Sequence, residues 1–395
     1  MLNQRKSQIG LRQTRWFLVV ILLAIGALSG GQGFINAVKP AGSQDFQWSP
    51  SHYLLQHEDP YRLYLEHRSG ALKNNPFPLS QVPNYPASAL VFLWPLAALD
   101  LHTAKWIWAA ANILMGIGCV ALVARIFGIN GILALGLLGL FFASTPGRNT
   151  VGNGQQGLFS LFFFLLAVHC QIQKRPVIGT LCLAACWLKY TITFPLSLIF
   201  IRREWRATLV AAAAVHVGLI LFLSIWTGEN PFKLLSGPLM VSETGVDSTM
   251  YDTIAMVNYF GGGSRFAGVA LGIILLVAAA WLVAKSKARL TTNLTFLSFV
   301  SLVWSHHASY DYLVLVIPLA FAALHWKQKS IGSVDILVAS SVLLIWFVSR
   351  ILDAANEVFA PVGLIVFWGA CVAVYAALAI LFVTIHLEGR SQKAV

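Results

Sequence analysis

Residues 174–206 read KRPVIGTLCLAACWLKYTITFPLSLIFIRREWR: two short apolar runs between basic clusters, with one lysine in the middle. Lys and Arg flanking membrane segments collect on the cytoplasmic side. If Lys174 and Arg175 share a side with Arg202, Arg203 and Arg206, the chain between them must go out and come back. At ~1.5 Å per residue, neither 176–189 nor 192–201 can cross a hydrocarbon core of ~30 Å. The expectation is therefore a turn within membrane depth near Lys189, with Pro195 helping to break the helix. Non-helical backbone at that depth is tolerated only where it lines a cavity inside the protein.

The rest of the chain agrees with this setting. Its 395 residues are 57% hydrophobic and 11% charged, with mean hydropathy +0.72, outside the composition of soluble domains. Apolar segments occur at 16–38, 104–124, 129–144, 157–172, 176–189, 192–201, 207–226, 266–284, 291–304, 310–325, 334–350 and 360–386. The predicted fold is an all-α polytopic membrane protein: one domain over 1–395, with about 12 transmembrane helices and a long first outer loop carrying interfacial helices. The first run follows Arg5, Lys6, Arg12 and Arg15 as a secretory signal would, but is longer than a signal's apolar core and is taken as the first span. The stretch 87–98 is too short for a span and is read as interfacial or re-entrant. The net charge of +12 is scattered between apolar runs, which argues for membrane topology and against a nucleic-acid partner. Cys119, Cys170, Cys182, Cys186 and Cys371 lie inside apolar runs without metal-site spacing and are read as packing residues.

With the N-terminus inside, most of the basic residues fall on the cytoplasmic side, and both termini are expected there. The unusual polar residues then gather on the outer face, in loops 39–103 and 227–265, which are expected to cap a site, and in 144–157, the Lys189 turn and 305–312. Asp45 lies just past the first span, where low dielectric raises a carboxyl pKa and suits it to take a proton from a hydroxyl; its plain alternative is a turn or cap residue. In EDPY, Asp59 before Pro60 has the pattern of a helix cap, with Tyr61 following in the first turn; Asp59, Tyr61 and the Tyr85 of NYP are also candidates to contact substrate. His306 and His307 are poorly arranged as a metal pair but suited to donate to a phosphate oxygen, and Asp311, four residues after His307, to orient it. Lys189, a cation at membrane depth, is expected to meet an anion or a carboxylate. Arg148 and Gln155 stand in a Gly/Asn/Gln-rich stretch suited to an anionic or sugar ligand, or to a plain loop. No Asp-x-Asp pair occurs in the first loop, so neither a metal nor a cofactor is expected.

These residues carry a resemblance. QDF (44–46), EDPY (58–61), NYPASALVFLWPLAAL (84–99), GNGQQGLFSLFFFLLA (152–167), GTLCLAACWLKYTITFPLSLIF (179–200) with RREWR (202–206), and SHHASYDYLVLVIPL (305–319) follow in the order and spacing of one family. From about residue 16 to 325 the chain resembles the GT-C superfamily of polytopic glycosyltransferases, specifically glycosyltransferase family 87, the polyprenyl-phosphate-mannose-dependent group. Ala87 and Gly157 stand where that family usually has a proline and an asparagine. The resemblance implies a GT-C-type bundle and inverting transfer of a sugar, mannose being expected, from a polyprenyl-phosphate-sugar donor to a lipid or glycan hydroxyl acceptor. It implies Asp45 as general base, with His306 or His307, Lys189 and Arg148 on the donor phosphate. The expected location is a bacterial inner membrane with the site facing the exterior. Two other readings stay open: a transporter or flippase, since broken helices and a buried lysine also mark transport paths, and a non-catalytic assembly factor.

Overall fold

The structure, a computed structural model, describes residues 2–69, 81–242, 252–253, 257, 265–305, 309–358 and 360–391. Every regular element among them is helical. In chain order they are α1 (Leu2–Val38), α2 (Trp48–Leu55), α3 (Pro60–Arg68), α4 (Ala87–Ala97), α5 (Leu101–Ile126), α6 (Gly131–Ala143), α7 (Thr145–Gly152), α8 (Gly157–Ile172), α9 (Pro176–Cys186) and α10 (Tyr190–Ser197). They continue with α11 (Arg206–Thr227), α12 (Pro231–Ser242), α13 (Arg265–Lys285), α14 (Leu290–Val303), α15 (Val316–Lys327), α16 (Ser333–Val358) and α17 (Ala360–Ser391). The all-helical expectation holds, but the count of about twelve spans does not carry through. Among the described residues six helical runs are long and apolar enough to cross a membrane, or seven with the bent pair α6–α7 taken as one. Three of the expected spans are short helices: α6 ends at the buried Ser144, α8 begins after the buried Gln156, and α14 ends at Trp304.

The run 176–201 has the length of a crossing, yet the chain doubles back within it. Trp187 Nε1 donates to Ser197 Oγ at 2.9 Å and Thr193 Oγ1 to the Cys186 carbonyl at 2.7 Å. In a continuous helix these partners would lie roughly 15 and 10 Å apart along the axis. Residues Trp187–Lys189 form the 3-10 turn between the arms, as the basic clusters on either side require. Pro195 does not make the turn, contrary to expectation; it lies inside α10. Lacking an N–H, it leaves the Thr191 carbonyl unbonded in the helix, and Trp304 Nε1 takes that carbonyl at 2.6 Å, tying α10 to the end of α14. The flanks of the hairpin meet again at the far end of the bundle, where Gln171 Nε2 donates to Thr208 Oγ1 at 2.6 Å.

Two bends prepare the site. At Ser144 the backbone leaves helical geometry, its hydroxyl accepts from Gly147 N–H at 3.1 Å, and Pro146 stands in the first turn. This cap and proline restart the helix as α7 at 59° to α6. Helices α1 and α6 cross in backbone contact: a Cβ on Gly26 would lie 2.6 Å from the Gly139 carbonyl oxygen, and one on Gly139 2.6 Å from the Leu22 carbonyl carbon. Such approach is the usual basis of helix association in lipid. Gly139→Leu is expected to force these helices apart and to lower thermal stability by an overpacking cost of roughly 1–3 kcal/mol, measured as loss of monodisperse protein on heating in detergent. An unchanged melting profile would show that the crossing carries no weight.

The segments beyond α1 and α11 pack together at one end. Trp226 Nε1 donates to the Leu54 carbonyl at 3.0 Å, His57 stacks on Trp226, and Arg62 lies 3.6 Å from Glu229. α4 is not a surface helix within the protein: Ala87, Ser88, Ala89, Leu90, Leu93 and Ala97 are buried, and Ser88 Oγ meets His216 Nδ1 of α11 at 2.8 Å.

Candidate functional site

The site is built where helix ends converge. The α7–α8 corner runs Gly152-Asn153-Gly154-Gln155-Gln156, and Gly154 adopts a left-handed backbone (φ +65°) that a side chain would strain. A Cβ there would also sit 2.8 Å from Ser43. Without one, the corner lies directly on the loop after α1: Ser43 N–H donates to the Gly152 carbonyl at 3.3 Å and Asp45 N–H to that of Asn153 at 3.0 Å. Gln156 Nε2 donates to the Asp45 carbonyl at 3.0 Å, and Trp108 Nε1 to that of Gly154 at 2.8 Å. Asp45 is thus fixed by its backbone to the corner that carries Gln155.

Lys189 arrives from the hairpin turn. Its backbone N–H donates to Ser160 Oγ at 2.9 Å, and its buried ammonium lies 2.5 Å from Asp311 Oδ1 and 2.7 Å from Gln155 Oε1, with the Tyr310 ring 4.6 Å away. Asp311 lies on the 3-10 segment Ser309–Leu315. That segment is held on both sides of it, Thr150 Oγ1 donating to the Tyr310 carbonyl at 3.1 Å and Trp346 Nε1 to the Tyr312 carbonyl at 2.7 Å. Tyr85 OH also donates to Gln155 Oε1, at 3.3 Å. With its oxygen taken by Lys189 and Tyr85, Gln155 turns its amide N–H to the Asp45 carboxylate, and the network itself fixes that orientation.

Burial lifts the Asp45 carboxyl above its ordinary 3.8; the Gln155 hydrogen bond and the Lys189 charge pull it back, while the Asp311 charge pushes it up. Burial, then the nearby carboxylates, raise Tyr310. Burial, then Tyr310 and the nearby carboxylates, raise Tyr85. Both phenols stay protonated as donors. The arrangement is a partly exposed, weakly acidic carboxyl separated by one amide from a cation pinned in place.

Five of the sequence candidates, Asp45, Tyr85, Gln155, Lys189 and Asp311, come together. Three do not join them directly. Asp59 caps α3, accepting from Tyr61 N–H at 2.9 Å. Tyr61 packs its ring on Gly237 of α12 and donates to the Tyr85 carbonyl at 2.5 Å, so it supports Tyr85 from behind. Arg148 bonds its neighbour Asn149 at 3.3 Å and is not among the charges acting on Asp45. His306 and His307 lie outside the described residues. Asp311 was expected to orient His307; its described partner is Lys189. Ser160, Thr150 and Tyr310 were missed. Tyr310 stands beside Asp311 in a quoted motif, whereas nothing in sequence marks a serine in an apolar helix as the acceptor for a distant turn.

The family model for glycosyltransferase family 87 matches residues 84–318. The chain belongs to glycosyltransferase family 87. The match covers Tyr85, Gln155, Lys189 and Asp311, and this glycosyltransferase adds Asp45 to them from outside the matched region through the Gln155 contact. No curated protein and no solved structure matches the chain. As a glycosyltransferase it takes a sugar donor and an acceptor.

Proposed function

We propose that this glycosyltransferase moves a mannosyl group, with inversion, from a polyprenyl-phosphate-linked donor to a hydroxyl acceptor at the outer surface of the cytoplasmic membrane. The observation that carries the reading is the placement of Asp45 beside Lys189 across one glutamine amide. Asp45 takes the proton as the acceptor oxygen bonds to the anomeric carbon. The bond from that carbon to the phosphate oxygen breaks, and its electron pair leaves with the polyprenyl phosphate. Lys189 spends two N–H donors on Asp311 and Gln155; its third suits a phosphate oxygen, alone or with His306 or His307. A cation already oriented costs little reorganisation when charge develops on the leaving group. Arg148 is left out of the scheme, since it faces Asn149. The segments 39–103 and 227–265 form the cap, in keeping with the Arg62–Glu229 and Tyr61–Gly237 contacts between them.

The phosphate of such a donor lies at headgroup level with its tail in lipid, which agrees with a site at one end of an apolar bundle. The bundle's other end holds Lys174, Arg175, Arg202 and Arg203, in keeping with a cytoplasmic side there that also takes both chain termini. Membranes carrying the wild-type chain are expected to transfer labelled mannose from polyprenyl-phosphate-mannose, with EDTA leaving the rate nearly unchanged. Failure of transfer with this donor, or strict dependence on a divalent cation, would overturn the scheme.

A further inference from the structure

His216 of α11 stands behind the Lys189 cluster, and its ring meets three other parts of the chain. Nε2 lies 2.9 Å from the Ala184 carbonyl of α9 and Nδ1 2.8 Å from Ser88 Oγ of α4. The ring stacks on Trp187, with centroids 5.1 Å apart and planes at 26°. A carbonyl only accepts, so Nε2 carries the proton and Nδ1 accepts from the Ser88 hydroxyl. The surroundings thus fix a neutral imidazole with one donor edge and one acceptor edge. Ala184 sits where α9 gives way to the 3-10 turn, and its carbonyl also takes the Trp187 N–H. The imidazole fills the second lone pair of an oxygen at a helix end.

Both sides of the ring lead to the site. Trp187 opens the turn that ends at Lys189. Ser88 lies in the first turn of α4, three residues after Tyr85. Lys189 Nζ and Tyr85 OH both donate to Gln155 Oε1, at 2.7 and 3.3 Å. The contacts therefore close a circuit, with Gln155 at the front, His216 at the back, and the short segments 85–88 and 187–189 as its sides. We propose that His216 is a positioning residue for the transfer reaction: it sets the spacing of Tyr85 and Lys189, so that both reach one oxygen of Gln155 and turn its amide N–H to Asp45. The proposal rests on the transferase reading above and adds to it a residue set back from the reacting atoms. A phenyl ring would fill the same space but has neither polar edge. A histidine kept for packing alone would have no consequence at Asp45.

The test uses the full chain in lipid nanodiscs, labelled with fluorotyrosine, the Tyr85 and Tyr310 signals being assigned by Tyr85→Phe and Tyr310→Phe. Both phenols bond Gln155, so they report its orientation without donor or turnover. His216→Phe keeps a flat ring beside Trp187 and removes both hydrogen bonds; the Ala184 carbonyl keeps the Trp187 N–H, so the chain should fold. The fluorine signals of Tyr85 and Tyr310 are expected to move. In transfer assays kcat/KM should fall about 10²-fold, the scale of a small misplacement of a reacting group. Its acid limb should move to higher pH, because the Gln155 hydrogen bond that lowers the Asp45 pKa against burial and the Asp311 charge is weakened. Ser88→Ala, which leaves the imidazole in place, should act in the same direction but less, and the double variant should be no worse than His216→Phe, as for two members of one link. Unmoved tyrosine signals in both single variants would overturn the proposal whatever the activity. Moved signals with an unshifted acid limb would make the circuit structural only and overturn it as well. Absence of transfer by the wild type would instead remove the transferase reading, and the fluorine spectra would still decide whether His216 sets the Gln155 contacts.

Discussion

Asp45→Asn is expected to lower transfer from polyprenyl-phosphate-mannose by roughly 10²–10⁴-fold, the usual size of a positioned general base, without loss of folded protein. The two parts of this result have one cause. The asparagine keeps an oxygen to accept from Gln155 and leaves the backbone bonds to Asn153 and Gln156 intact, but cannot hold the acceptor's proton. The carboxyl of Asp45 is raised above 3.8, first by burial, so its ionised form is worse off in the folded chain than in the unfolded one. That penalty is absent below the unfolded value and fully present above the folded one. Asp45→Asn should therefore match wild type in thermal stability near pH 3 and equal or exceed it at pH 7. In wild type, kcat/KM should rise with pH through the raised value, since only the ionised carboxylate is a base. Undiminished transfer by Asp45→Asn removes the residue as base; lost activity together with lost stability at neutral pH would mark it as structural.

The second large effect concerns the pair that holds the cation. Lys189→Met leaves Asp311 buried beside an apolar side chain, and breaking a buried pair on one side costs about 3–5 kcal/mol. The double variant Lys189→Met/Asp311→Leu should recover most of that stability while staying inactive, because a matched apolar pair replaces a matched ionic one. Milder substitutions act on the base in opposite directions. The Lys189 charge lowers the Asp45 pKa and the Asp311 charge raises it. The acid limb of kcat/KM should therefore move to higher pH in Lys189→Gln and to lower pH in Asp311→Asn. Shifts of the same sign in both would deny that the pair acts on Asp45 through its field. Donor KM should rise in Lys189→Gln; an unchanged value would count against a phosphate contact.

The sequence alone determined the helical class, because 57% hydrophobic composition in runs of this length leaves helices as the economical way to satisfy backbone groups in lipid. It also pointed to the doubling-back at Lys189, on the condition that both basic clusters share a side; the same run is long enough for one crossing, and the Trp187–Ser197 and Gln171–Thr208 bonds decide for the hairpin. Asp59 was legible as a cap from Pro60 behind it. Which polar residues meet was decided only by tertiary structure, because their contacts span 34 positions for Lys189 with Gln155 and 160 for Thr150 with Tyr310. No local period encodes such distances. Arg148 and Gln155 shared one promising stretch, yet the 59° bend at Ser144 and the left-handed Gly154 send the arginine to Asn149 and the glutamine inward.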